Sequence, residues 1–168
     1  MSRPGDRLLD AESAATAGSI IEREFRIADF ARLADRLARP AGTANARLAL
    51  ARVDGIATGQ LQVRAVAELS CQRCLGPVRR TLESQSALAF VADQASPVPE
   101  GREAVAGDPR RVDLAGLVED ELLLALPLIA RHAAGEACEL PKAPAQAADA
   151  AAPETRRPFA GLKELLKN

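Results

Sequence analysis

The chain has 168 residues, 22 basic against 23 acidic, and a formal net charge of -1, so no long-range field draws the whole molecule onto a polyanion. Its hydrophobic fraction of 48% leans on alanine and its aromatic fraction is 2%, which leaves Leu, Val, Ile and Ala to build the core. With only Phe25, Phe30, Phe90 and Phe159 to stack on bases, direct reading of single-stranded RNA is disfavoured, and no run of about 20 apolar residues is present to span a bilayer.

In chain order, Met1 to Asp10 is charged and lacks the apolar stretch of a signal peptide, so a cytoplasmic location is expected. Ser19 to Ile27 places Ile21, Arg23, Phe25 and Ile27 on one face with charge on the other, the alternation of a strand. Asp29 is positioned to accept from the free amides of a following helix, with Phe30, Leu33, Ala34 and Leu37 on one stripe before Pro40 ends it. From Ala46 to Leu69 the apolar period falls to two, with Asp54-Gly55 as the turn dipeptide of a hairpin. Val78 to Val91 supplies a third run, whose inward face changes from Ser84 to Leu88 and Phe90 in a way that suggests a bulge or a frayed edge.

Asp93 to Pro109 is rich in Pro, Gly, Ala and charge and reads as an exposed loop. Asp113 then caps a helix with Leu114, Leu117, Val118, Leu122 and Ala125 on one face, closed by Pro127. Pro141 to Thr155 has no large apolar residue and reads as a disordered linker. Beyond it Pro158 opens an amphipathic C-terminal helix with Phe159, Leu162, Leu165 and Leu166 at helical spacing, too short to persist unless it docks. The expected architecture is α+β: a mainly antiparallel sheet with a few short helices in a domain over 1–140, a linker over 141–155 and a docking helix over 156–168.

Cys71-Gln72-Arg73-Cys74 follows a strand and precedes Gly76-Pro77, so both sulfurs occupy one turn. With Cys138 and His132 downstream, these residues form a tetrahedral zinc set if the fold gathers them. Three readings stay open: reduced thiols of a turn, a structural zinc ion, or redox work. The last is the weakest, since no helix N-terminus follows to lower a thiol pKa. His132 is the sole histidine, and as a general base it has no serine beside it in sequence; a solvated loop histidine is the plainer reading. Glu119, Asp120 and Glu121 are consecutive on a helix and point about 100° apart, so they cannot share one ion and read as a solvated acidic face. Basic residues cluster at Arg79-Arg80, Arg110-Arg111 and Arg156-Arg157, with Arg64 and Arg73 near the first pair, and Arg64, Arg73 and Arg79 are candidate phosphate contacts.

Three stretches in this order, C-Q-R-C-L-G-P-V at Cys71 to Val78, V-D-L-A-G-L-V-E-D-E-L-L-L-A-L-P-L at Val112 to Leu128, and R-P-F-A-G-L-K-E-L-L-K at Arg157 to Lys167, together resemble the bacterial YceD family, the large ribosomal RNA subunit accumulation proteins. The resemblance implies a cytoplasmic role in synthesis, processing or stability of large-subunit (23S) ribosomal RNA, with no enzymatic activity and no small-molecule substrate. Joined to the residue reading, it points to a platform whose acidic face at Glu119, Asp120 and Glu121 meets a basic partner on the pre-ribosomal large subunit, a ribosomal protein, with the C-terminal helix docking through Phe159, Leu162 and Leu165. The alternatives are a direct RNA-binding chaperone using Arg64, Arg73 and Arg79, and a small zinc or thiol protein centred on the cysteine pair.

Overall fold

The computed structural model of the protein describes residues 8–139. The elements in chain order are β1 (Leu8–Leu9), α1 (Ala11–Thr16), β2 (Ile20–Arg26), a 3-10 turn (Ile27–Asp29), α2 (Ala31–Ala34), β3 (Thr43–Val53), β4 (Ile56–Ser70), β5 (Pro77–Val91), β6 (Glu103–Ala106), β7 (Val112–Asp113) and α3 (Leu114–Leu124). Five strands form one sheet in the order β2-β3-β4-β5-β6, antiparallel except for the last pair, and β1 pairs with β7 in a separate two-stranded ladder. The expected α+β class with a mainly antiparallel sheet is the observed one. The linker and the terminal helix lie outside the described residues.

Strict alternation builds the sheet. Ala44, Ala46, Leu48 and Leu50 on β3 and Leu61, Val63, Ala65, Ala67 and Leu69 on β4 are buried on one face, while Asn45, Arg47, Gln60, Gln62 and Arg64 stand on the other. Asp54 and Gly55, with φ of 51° and 79°, make the tight turn of the β3–β4 hairpin. The core is completed from one side only: α1 packs on β3 and β4, and α3 on β4 and β5. The other face of the sheet is exposed around Asn45, Arg47, Gln60, Gln62 and Arg64, and is buried at the Thr58 and Ala89 end.

Three expectations need correction. No bulge interrupts β5: its register against β4 runs without a break from Ala57 opposite Phe90 to Ser70 opposite Pro77. Ser84 and Ser86 therefore share the inward face with Leu82 and Leu88, and their polarity is answered from α3. The stretch Asp93 to Pro109 is not wholly a loop, since Glu103–Ala106 adds to the edge of β5 in parallel. Glu103-Ala-Val-Ala106 has little strand propensity, and the open backbone groups of β5 template it. Finally, Asp29 does not cap α2; it ion-pairs with Arg26 at 2.6 Å, and a different carboxylate takes that place, as described below. A helix missed in sequence, α1, is capped by Asp10, whose carboxylate accepts from the Ser13 amide at 2.9 Å.

Gly59 on β4 lies between Leu48 and Phe90. A Cβ there would come within 2.7 Å of Leu48 Cδ1 and 3.3 Å of Phe90 Cε2, so the missing side chain is what lets the Phe90 ring lie against the strand. Gly59→Ala is expected to lower unfolding stability by about 1–3 kcal/mol through overpacking. Urea denaturation should show the midpoint falling with the slope unchanged.

Candidate metal centre

The β4–β5 turn is a knuckle closed by two backbone hydrogen bonds: the Cys71 amide donates to the Gly76 carbonyl at 2.8 Å and the Leu75 amide to the Cys71 carbonyl at 2.9 Å. Leu75 sits at φ 62°, a left-handed conformation that costs a leucine about 1–2 kcal/mol and persists only where the surroundings impose it. The fold brings the segment that follows α3 back onto this turn. The Gln72 amide donates to the Ala130 carbonyl at 2.8 Å, and the Arg80 guanidinium donates to the Arg131 carbonyl.

The sulfurs of Cys71, Cys74 and Cys138 and a ring nitrogen of His132 all lie within 4.8 Å of one another. Cys71 Sγ is 3.8 Å from Cys138 Sγ, and Cys74 Sγ is 3.5 Å from His132 Nδ1. The other ring nitrogen, Nε2, is 3.0 Å from the Pro77 carbonyl. A carbonyl only accepts, so Nε2 carries the proton and donates, which leaves the Nδ1 lone pair aimed at the thiols. The solvated-loop reading of His132 is thereby corrected: its ring is held at both nitrogens. All three cysteines are free thiols.

The electrostatics of the cluster favour one negative charge. The Cys71 thiol is held down at about 5, first by the Cys74 backbone amide and then by those of Arg73 and His132, against the opposing effect of burial. The Cys138 thiol is pushed up to about 11, first by burial and then by its hydrogen bonds and proximity to the other two sulfurs. Cys71 is thus the favoured thiolate, and the Cys138 thiol donates towards it. Such a set can bind a soft or borderline cation or exchange protons among its sulfurs.

The acidic residues of α3 are placed differently from expectation. Glu119 and Glu121 are 9% and 8% exposed, so only Asp120 of the three belongs to a solvated surface. Glu119 Oε1 accepts from the backbone amides of Arg32 at 2.7 Å and Leu33 at 3.1 Å, and its Oε2 meets the Arg32 guanidinium at 2.9 Å. It supplies, from 87 residues away, the N-terminal cap that α2 lacks in its own sequence. Glu121 accepts from the hydroxyls of Ser84 and of Ser86, the latter at 2.6 Å. Asp120 pairs with the far side of the Arg32 guanidinium at 2.7 Å. An acidic docking face of three carboxylates is overturned, because two of the three are spent inside the fold.

Arg64 and Arg79 lie on the outward face of the sheet, where together with Arg39 and a single carboxylate, Glu68, they line one shallow depression. Arg64 ion-pairs with Glu83 at 3.2 Å. Arg79 lies directly across the ladder from Glu68, which pairs with Arg39 at 3.7 Å. Arg73 is exposed in the cysteine turn. Phe30 and Phe90 are buried, and Phe25 packs on Phe30 with ring centroids 5.7 Å apart, so these rings serve the core. Phe159, Leu162 and Leu165 lie outside the described residues. Among the described residues no helix is long and apolar enough to cross a membrane.

Comparison with known proteins gives a family. The model of the family described as large ribosomal RNA subunit accumulation protein YceD matches residues 59–166. The chain belongs to the YceD family. A curated relative of the same description from Haemophilus influenzae is 42% identical over 85 residues, covering 49% of this chain and 47% of the relative; the match spans about half of that protein. No solved structure matches. In this YceD-family chain the matched region takes in β4 from Gly59 onward, β5 to β7, α3 and all four residues of the cluster, whereas Arg32 and α2 lie before it. The family is named for accumulation of ribosomal RNA and not for a catalytic activity.

Burial raises the Glu119 pKa, but the Leu33 and Arg32 amides and the Arg32 guanidinium outweigh it, and the carboxyl is held below its ordinary value. A depressed folded pKa gives stability that is complete above the unfolded pKa of about 4.3 and is lost as pH falls through the folded value. Glu119→Ala is expected to cost about 2–3 kcal/mol at neutral pH, because it leaves two helix amides and a guanidinium without their acceptor. The difference from the parent protein should hold constant above about pH 5 and shrink below about pH 4, as followed by denaturation across pH.

Proposed function

We propose that the protein supports accumulation of large-subunit (23S) ribosomal RNA in the bacterial cytoplasm as a binding factor, without bond chemistry, by docking on the pre-ribosomal large subunit. The observation that carries this reading is the family match from Gly59 on β4 through β5, β6 and α3, taken with the character of the outward sheet face. There Glu22, Arg47, Gln62, Arg64, Glu83 and Gln85 line a shallow depression of about 720 Å³. Arg47 pairs with Glu22 and Arg64 with Glu83, so both signs alternate across the strands and amide side chains fill the gaps. A surface of this kind offers many donors and acceptors with little net field. It suits a ribosomal protein held by matched polar contacts better than bare RNA held by counterion release.

Direct RNA binding through Arg64, Arg73 and Arg79 is the second reading, favoured by the exposure of these three side chains. It requires an affinity for RNA that falls steeply with salt, and a flat response dismisses it.

The docking reading is tested with the triple variant Arg47→Ala, Gln62→Ala, Arg64→Ala in cells lacking the native protein. Co-sedimentation with large-subunit precursors should weaken by about tenfold or more, since a few central residues dominate an interface. The ratio of large- to small-subunit ribosomal RNA should fall with it, while the melting temperature of the purified variant stays within a few degrees of the parent. Normal co-sedimentation of the triple variant would remove the open sheet face from the proposal.

A further inference from the structure

The segment that follows α3 holds its place with little packing. Leu128 is fully exposed and Ile129 59% exposed, so of its three large apolar side chains only Leu126 packs against the protein. Beneath it lies only a small buried cluster of Leu69, Cys71, Val78 and Ala130, with Leu37, Cys74, Leu126 and Cys138 at its margin. Burial on that scale does not offset the loss of backbone freedom in an irregular stretch of this length. Something further has to fasten it, and the one place where its side chains converge on the sheet is the cysteine knuckle.

We propose that Cys71, Cys74, Cys138 and His132 bind one Zn²⁺ ion, and that this ion fastens residues 126–138 to the β4–β5 turn. Two of the six pairwise separations match the ligand geometry and the rest lie close to it. A tetrahedral ion with Zn–S of about 2.3 Å and Zn–N of about 2.0–2.1 Å sets neighbouring sulfurs about 3.8 Å apart and a sulfur about 3.5 Å from a ring nitrogen. The observed values are 3.8 Å for Cys71 to Cys138 and 3.5 Å for Cys74 to His132 Nδ1, with every other pair inside 4.8 Å. Three thiolates and an imidazole are a closed, structural donor set, and borderline-soft sulfur and nitrogen ligands select zinc over oxygen-seeking Mg²⁺ or Ca²⁺. The Pro77 carbonyl already fixes the His132 tautomer that presents Nδ1, the usual support of a metal-bound imidazole. Arg73 lies between two of the ligands and Arg131 next to a third in sequence, cations suited to a centre of net charge -1. A Cys71–Cys138 disulfide, the rival use of these atoms, employs two of the four groups and gives no account of Cys74 and His132 meeting there.

Binding displaces the thiol protons that remain in the cluster, Cys71 being already the thiolate, with no change in oxidation state. The test uses untagged full-length protein purified without chelator. Elemental analysis should give one zinc per chain, and Co²⁺ exchanged into the site should show the intense visible absorption of a tetrahedral thiolate complex. Cys138→Ser and His132→Ala should each weaken zinc binding at least 10-fold in competition with a chromogenic chelator. Hydrogen exchange should accelerate over 126–138 on zinc removal, while α1 and the β3–β4 hairpin keep their protection. Each variant reports separately: the sheet stays folded by circular dichroism if the ligands act only on the segment. Less than 0.1 zinc per chain with no uptake of Co²⁺, a Cys71–Cys138 disulfide in the protein as purified from reducing cytoplasm, or parental zinc affinity in both variants would overturn the proposal.

Discussion

Two buried carboxylates on α3 decide the arrangement of everything after the hairpin. Glu119 reaches across to the amides of α2 and to Arg32, and Glu121 reaches down to Ser84 and Ser86 on β5. A buried carboxylate is costly unless it is hydrogen-bonded, and these are answered at several points each. Their partners lie on different elements, so α3 is pinned both in its rotation about its axis and in its height above the sheet. The chain that leaves α3 past Pro127 has a defined direction as a result, and that direction returns it to the β4–β5 turn.

This placement links parts of the molecule that composition alone would keep apart. The core is poor in aromatics and rich in alanine, and at Gly59 both Leu48 and Phe90 close on the bare backbone. Polar interactions do correspondingly more of the positioning. Asp10 caps α1, Asp113 caps α3 through the Gly116 amide at 3.1 Å, and Glu119 caps α2 from a distant helix. The result is a one-sided sheet, with helices and the cysteine cluster on and around its buried side and a charge-balanced open face on the other.

The two surfaces differ in character. The open face presents paired Arg and Glu with intervening Gln and Asn across β2 to β5, a pattern that rewards a partner of matched polarity and repels neither sign at long range. The cysteine cluster lies at the end of the β4–β5 hairpin, where strained Leu75 and the knuckle hydrogen bonds hold Cys71 and Cys74 on one turn. The residues of the cluster also fall within the region that matches the family model, as do Glu119 and Glu121. Arg32, which answers Glu119, does not.

Much of this was written locally in the chain. Alternating Leu, Val and Ala specified β3 and β4, Asp54-Gly55 specified their turn, Asp113 the start of α3, and the spacing of Cys71 and Cys74 placed two sulfurs on one turn, because side-chain period and capping act over a few residues. Tertiary structure alone decided that weakly strand-forming Glu103–Ala106 would pair with β5, that Glu119 and Glu121 would turn inward from an apparently solvated acidic run, and that Cys138 and His132 would come to Cys71 and Cys74. These join residues from 15 to 87 positions apart. Such contacts depend on how elements pack, and a one-dimensional pattern carries no record of which distant groups will satisfy a buried amide, a hydroxyl or a thiol.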